Sequence, residues 1–318
     1  MRLMHALSIV IPTHNRGALL ERCVLSVLSA SSATAEILVS DDGSSDDSRE
    51  RMETLAARYP NVTWLSASRT GPAGARNRGW RAARGDIIAF IDDDCVAAPR
   101  WTDELEAPLL RDTSLAGVEG QTRPERPARS FFEHSINSSG GAFLSCNIAF
   151  RKSVLEQVGG FDEGFPFPHG EDIDLGYRLL ARDARIAYQP SALVFHAVTR
   201  IGPAYYMRRT RMDPSSYRLF VRNPACFQKA LRTVRLARVL DTNGRQPGFG
   251  RILAFLVASR IFHAYFCLRD GTSLRERLIG CLTHLTCLLL SVRFVPASLA
   301  AYRAAASGSQ TRASPNET

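Results

Sequence analysis

None of the seven cysteines in this 318-residue sequence (Cys23, Cys95, Cys146, Cys226, Cys267, Cys281, Cys287) forms a CxxC pair or has a histidine at zinc-finger spacing. That pattern argues against a structural zinc site and for reduced, mostly buried thiols in a cytoplasmic protein. Also missing is a GxGxxG turn after the first apolar run, where PTHNRG stands instead, and there is no GxxxxGK[S/T] loop. A nicotinamide-dependent dehydrogenase and a P-loop enzyme both lose their signature. No zinc-finger, RNP-like or helix-turn-helix pattern accompanies the basic residues, so nucleic acid is not the expected partner.

Long hydrophobic runs are scarce too. The first apolar run stops at Pro12 after about six residues, shorter than a signal peptide needs, and reads as a strand. Ile252 to Leu268 is interrupted by Arg260 and His263. Leu278 to Val292 holds 15 residues without Asp, Glu, Lys or Arg, against the roughly 20 that a spanning helix requires. An interfacial or re-entrant location fits these segments better than a crossing. There is no internal repeat, and residues 304–318 read as a disordered tail.

What the chain does have is 45% apolar residues, ample for a large buried core, and a net charge of +9 that is unevenly placed. Residues 1–199 hold 21 Lys and Arg against 26 Asp and Glu, while residues 200–318 hold 19 against 5. Two parts with different partners follow: an acidic one that needs a purpose for its carboxylates, and a basic one suited to an anionic surface.

Leu7 to Ile11, Glu36 to Ser40 and Ile87 to Ile91 are short, β-branched runs, with helical spacing in Ala18 to Leu28 and Ala73 to Arg84 between them. Each run ends in polar or acidic residues. After a Pro-rich passage the pattern resumes with Ala142 to Phe150, a helix from Ser153, a helix over Ile173 to Arg182, and Arg185 to Tyr188 leading to Ala192 to His196. Such alternation predicts an α/β fold with a mostly parallel sheet, helices on its faces, and a ligand site beyond the carboxyl ends of the strands.

Asp92, Asp93 and Asp94 stand just past the third run. Alternate side chains of an extended segment share a face, so Asp92 and Asp94 can enter one site while Asp93 points elsewhere. A hard cation such as Mg²⁺ or Mn²⁺ takes one or two such carboxylates together with substrate phosphates. Taken alone, three aspartates after a strand are equally at home in a solvated turn.

The segments SIVIPTHNR (8–16), VSDDGSSDDS (39–48), GPAGARNRG (71–79), IAFIDDDC (88–95), VGGFDEGF (158–165) and GEDIDLGYRL (170–179) occur in an order that resembles family 2 glycosyltransferases of the GT-A fold. The resemblance covers residue 8 to about residue 196. It implies an inverting enzyme that takes a sugar from a nucleotide-diphosphate donor. Pro12, Thr13 and Asn15 would line the nucleoside end and Asp41 the base, while Arg76 and Asn77 would meet ribose or phosphate and Asp92 the ribose. Asp94 would ligate Mg²⁺ or Mn²⁺. His196 is a further candidate ligand, though a lone histidine is as readily structural. Asp172 would be the catalytic base, with Glu171 as its orienter or an acceptor contact.

Within these segments Asp46 and Asp174 read as helix-capping acids and Arg78 as a surface residue. Gly141, Ser145 and Asn147 are candidate acceptor contacts. Trp101 and Phe165 fit either sugar stacking or core packing. The expected organisation is a catalytic domain over 1–199, a basic, mainly helical region over 200–303, and the tail. Expected partners are a nucleotide-diphosphate sugar, UDP-sugar first, a glycan or lipid-linked saccharide acceptor, and an anionic membrane surface at the cytoplasmic face. A sugar nucleotidyltransferase and an inactive donor-binding relative are the alternatives.

Overall fold

The computed structural model describes residues 7–200 except 32–34, 68, 130–132 and 166–168, together with isolated positions 205, 219, 282, 285–287 and 289. Apart from those few positions, the expectation of a helical region over 200–303 lies outside the described residues, as does the tail over 304–318. Two units divide the chain. The first comprises Met1–Pro127, Ser135–Gly164 and Glu171–Val198; the second comprises Ala128–His134, Phe165–Gly170 and Thr199–Thr318. Among the described residues no helix is long and apolar enough to cross a membrane.

In the first unit the elements follow as β1 (Leu7–Thr13), α1 (Gly17–Ala30), β2 (Glu36–Asp41), α2 (Ser48–Arg58), β3 (Val62–Ser66), α3 (Gly71–Ala82), β4 (Ile87–Phe90), β5 (Cys95–Ala97), α4 (Trp101–Arg111) and β6 (Leu115–Pro124). After β7 (Glu133–His134), which pairs with β10 (Thr199–Arg200) in the second unit, come β8 (Ile148–Arg151), α5 (Lys152–Val158), α6 (Glu171–Leu180) and β9 (Arg185–His196). Eight strands form one sheet in the order β3-β2-β1-β4-β8-β6-β9-β5. The first four are parallel; β8 runs against β4 and β6, and β5 against β9.

Strand β1 shows why continuous apolar runs appear here. Ile9 and Ile11 enter one buried cluster with Leu20, Val24 and Trp101, whereas Val10 enters the other with Trp80, Phe90 and Phe150. A sheet covered on both faces makes each strand apolar throughout. Helix α3 comes so close to β1 that a Cβ on Gly79 would lie 2.3 Å from Val10 Cγ1, so glycine is required there. The register pairs Thr13 with Asp41 and Asp41 with Ser66, which brings the carboxyl ends of β1, β2 and β3 to one edge.

Several elements escape the apolar pattern. Helix α2 buries only Ser48, Met52 and Leu55, α4 carries Pro108, and β6 contains Gly117, Gly120 and the buried Glu119. Residues 142–147, expected as part of a strand, form a loop instead, and β8 begins at Ile148. The reason lies in the backbone: Gly140, Gly141 and Phe143 all adopt positive φ, which no strand accommodates. Arg185 to His196, read as two pieces, is one strand that passes through Pro190 and shifts register against β6 at Gly120/Gln121.

Candidate active site

Beyond β4 the three aspartates separate by partner. Asp92 Oδ1 accepts from Arg76 Nη2 at 2.8 Å. Asp94 Oδ2 accepts from Arg16 Nη1 at 2.9 Å, and its Oδ1 lies 3.3 Å from His196 Nε2. His196 arrives through the antiparallel pairing of Cys95 with His196 at the end of β9. Its Nδ1 lies 2.9 Å from the Ala197 carbonyl oxygen, which can only accept, so Nδ1 donates in that bond. A carboxylate oxygen and an imidazole nitrogen this close are ligand types that suit a divalent cation.

The Cys95 thiol belongs to the same group of potential ligands. Burial pushes it well above its ordinary range, so it stays neutral and suits a hard cation poorly.

Asp93 differs from expectation. Expected to point away from the face of Asp92 and Asp94, it shares Arg16 with Asp94 and is buried, accepting from Thr13 Oγ1 at 2.8 Å and from Arg16 Nη1 at 2.9 Å. Burial is the main cause that raises its carboxyl to about 6, helped by Asp94 and opposed by Arg16. One guanidinium therefore bridges the middle and last aspartates.

Along the nucleoside side, Pro12 and Thr13 end β1 and Asp41 ends β2. Asp41 is buried and accepts from the Ser44 amide at 3.0 Å and Ser66 Oγ at 3.1 Å. Asn15, at φ 54°, clasps the facing turn: its amide donates to Ser44 Oγ at 2.8 Å and its Oδ1 accepts from the Ser45 amide at 2.7 Å. Asp42 receives the Thr70 and Gly71 amides at 2.6 and 3.0 Å at the start of α3. Asp46 receives the first amides of α1 and α2, Gly17 and Ser48, each at 3.1 Å, as a capping acid should.

Two residues of α3 depart from expectation. The Asn77 side chain is fully buried and engaged, donating to Phe161 O and Glu163 Oε1 and accepting from Trp80 Nε1 and the Phe161 amide. It fastens α3 to the 161–163 loop instead of facing ribose or phosphate. Arg78 is half-buried and donates to Ser40 Oγ and the Asp41 carbonyl, so it is a bolt between α3 and β2 and not a free surface charge.

At the other side Glu171 and Asp172 open α6. Arg76 Nη1 donates to Glu171 Oε1 at 2.9 Å, so this one buried guanidinium joins Glu171 to Asp92. Glu171 Oε2 is buried without a hydrogen-bond partner. Burial foremost, then the Asp172 charge, raises the Glu171 carboxyl to about 7 against the pull of Arg76. Asp172 accepts from the Ile173 amide at 2.8 Å and the Ser145 amide at 3.2 Å, and burial raises it above the ordinary aspartate range.

Asp174 is buried and paired with Arg178 at 2.7 Å, which in turn donates to Val158 O and Gly160 O. It anchors a positive side chain rather than merely capping. Asn147 accepts from Trp101 Nε1 and donates to Gln121 O and Ala192 O, which makes both residues core fasteners and not sugar contacts. Phe165 is buried, as core packing requires. Gly141 gives its amide to Glu119 at 2.6 Å.

Two residues went unread in the sequence. Arg16 sits at the end of PTHNR, where a lone arginine carries no signal. Glu119 lies inside a glycine-interrupted strand with no motif around it.

A two-faced α/β sheet with acidic residues gathered at its carboxyl edge, beside a helix start that carries two more carboxylates, matches the GT-A fold. Residues 8–159 match the family model described as glycosyl transferase family 2. The chain is 29% identical over 282 residues to the pre-mycofactocin glycosyltransferase of Mycobacterium tuberculosis, an alignment that covers 82% of this chain and 58% of that protein. The chain thus spans little more than half the length of that relative.

Among solved structures, the mannosyltransferase PcManGT of Pyrobaculum calidifontis in complex with GDP-Man and Mn²⁺ superposes with a TM-score of 0.57 at 20% identity, covering 98% of this chain and 89% of that one. GalNAc-T7 with UDP, GalNAc and Mn²⁺ superposes with a TM-score of 0.52 at 19% identity, covering 66% and 48%.

Proposed function

We propose that the chain is an inverting, divalent-metal-dependent glycosyltransferase that moves a sugar from a nucleotide-diphosphate donor to an acceptor hydroxyl of a lipid-linked or surface glycan. The observation that supports this reading most is the Arg76 bridge, which joins Asp92 on the donor edge to Glu171 beside Asp172. Donor edge and candidate base therefore form one charged cluster instead of two unrelated acidic turns.

In this reading Asp94 and His196 hold Mg²⁺ or Mn²⁺, and when bound the ion neutralises charge that develops on the leaving diphosphate. Pro12, Thr13, Asn15 and Asp41 line the nucleoside, and Asp92 faces the ribose. Asp172 takes the proton of the acceptor hydroxyl as the new bond forms, and a single in-line displacement inverts the anomeric carbon. The upward shift of its carboxyl is the direction a base working near neutral pH needs. Glu171, tied to Arg76, keeps α6 in register with the donor edge.

UDP-sugar is the first donor to try. The structural relatives include one complex with UDP and one with GDP-Man, both with Mn²⁺. A sugar nucleotidyltransferase shares the donor edge but leaves Asp172 without work. The excess of positive charge in residues 200–318 supports placement at the cytoplasmic leaflet.

The deciding experiment is donor binding and turnover with UDP-, dTDP- and GDP-sugars in Mn²⁺ or Mg²⁺, for wild type, Asp94→Ala and Asp172→Asn. One donor should bind with metal, Asp94→Ala should abolish that binding, and Asp172→Asn should bind without turnover. Full turnover by Asp172→Asn, or no binding by wild type, overturns the assignment. Deleting the chain after residue 245 should move it from membranes to the soluble fraction, and retention would remove the membrane placement.

A further inference from the structure

Glu119 is a carboxylate in the middle of the sheet, on β6, with only 3% of its surface exposed. No cationic side chain pairs with it among the described residues. Three consecutive backbone amides close on it instead: Gly141 at 2.6 Å, Ala142 at 3.3 Å and Phe143 at 3.0 Å. A carboxylate has lone pairs enough for all of them, and such charge-assisted bonds are stronger than neutral ones. Gly140 and Gly141 take φ 98° and 78°, which glycine allows, but Phe143 at φ 56° lies in the left-handed region. A phenylalanine in the left-handed region persists only where its surroundings compel it.

The same segment reaches α6 by two routes. The Phe143 ring packs so closely there that a Cβ on Gly176 would lie 2.3 Å from its Cγ, and it meets Tyr177 edge-on at 6.1 Å. Two residues further on, the Ser145 amide donates to Asp172 Oδ2 at 3.2 Å, with Ser145 Oγ at 3.5 Å. The chain of contacts runs from Glu119 through a strained loop to the carboxylate oxygen that the proposed reaction uses.

We infer that Glu119 is a positioning residue: it folds residues 141–145 into the one conformation that presents the Ser145 amide to Asp172, and so aims the base at the acceptor. This rests on the reading of Asp172 as the base. It touches neither donor nor acceptor and acts only through the loop. Glutamine at 119 keeps the volume but turns one acceptor oxygen into an N–H group that opposes a backbone N–H, so part of the loop must release.

The test is Glu119→Gln in the full chain, read three ways. Donor and Mn²⁺ affinity by calorimetry should stay within about twofold of wild type, since the donor edge is untouched. Turnover should fall on the order of a hundredfold, the effect of misplacing a reacting group by about an ångström. Amide hydrogen exchange at residues 141–145 should accelerate, Ser145 included.

Gly141→Ala gives an independent check. Its new Cβ meets nothing within 4 Å, yet the backbone at φ 78° resists it, so it should reproduce the split without altering Glu119. Unchanged turnover in both Glu119→Gln and Gly141→Ala overturns the inference, as does Ser145 exchange that stays at the wild-type rate. A joint loss of donor affinity and turnover also overturns it, by making Glu119 a general structural support. Failure of the base assignment looks different, because Asp172→Asn would then turn over while the exchange result still reports on the loop.

Discussion

The guanidinium of Arg76 donates to Glu171 Oε1 across 2.9 Å, although the two residues stand 95 positions apart in the chain. Its other terminal nitrogen holds Asp92 at 2.8 Å. Arg76→Ala would leave Glu171 and Asp92 without their shared cation, and stripping one partner from a buried pair costs about 3–5 kcal/mol. Arg76→Lys should fare little better, since one ammonium cannot replace a planar fork that serves two carboxylates. Urea unfolding should show both losses, and adding Glu171→Gln to Arg76→Ala should recover part of the stability. Wild-type stability in Arg76→Ala would mean that water screens the cluster.

The pH dependence of turnover follows from the same cluster. Burial raises both Glu171, to about 7, and Asp172. Adjacent acids titrate as a pair, so the acid limb belongs to both. A base that carries a proton cannot take one from the acceptor, and kcat/KM should therefore fall on the acid side, at a pH above the ordinary aspartate range. The groups that face this pair are Arg76, which favours the charged form, and Asp92, which disfavours it at Asp172. Glu171→Gln removes a neighbouring negative charge and should move the limb to lower pH. A flat profile between about pH 5 and 8 would contradict a carboxylate base of this kind.

Asp93 shows how a local rule fails in three dimensions. Alternation along an extended segment predicts that it turns away, yet it is clamped by Thr13 and Arg16. Asp93→Ala should destabilise the chain by about 1–3 kcal/mol, because Thr13 loses its buried acceptor. It should also weaken Mn²⁺ binding, since Arg16 then pairs with Asp94 alone. Asp93→Asn, whose carbonyl still accepts from Thr13, should be milder. Thermal unfolding and metal titration of the two variants separate these effects.

The residues legible in the sequence were those whose work is local. Apolar runs marked β1, β2 and β4, and carboxylates at strand ends marked Asp41 and Asp92 to Asp94. Asp46 could be read as a cap because its partners, Gly17 and Ser48, each open a helix. What escaped depends on distant pairing. Asn77 looks like a ligand in GPAGARNRG until Phe161 and Glu163 occupy its amide. Glu119 and Arg16 acquire meaning only when β6 meets the 141–143 loop and α1 meets the aspartates. Strand β6 itself was hidden because its two glycines and buried acid replace the apolar alternation that identifies a strand.

Asp42 separates support of the site from membership in it. It sits next to Asp41 at the donor edge, but its oxygens are taken by the Thr70 amide at 2.6 Å, the Thr70 hydroxyl at 2.9 Å and the Gly71 amide at 3.0 Å. Those amides begin α3, the helix that carries Arg76, and a helix start lacks partners of its own for its first N–H groups. Asp42→Ala removes such a partner and should cost about 1–2 kcal/mol. Asp42→Asn keeps an acceptor oxygen and should cost less. Because Arg76 lies more than one turn into α3, the Asp42→Ala protein should still bind donor at low temperature and lose that binding earlier on heating than wild type. Loss of donor affinity at low temperature with an unchanged melting point would instead place Asp42 on the nucleotide.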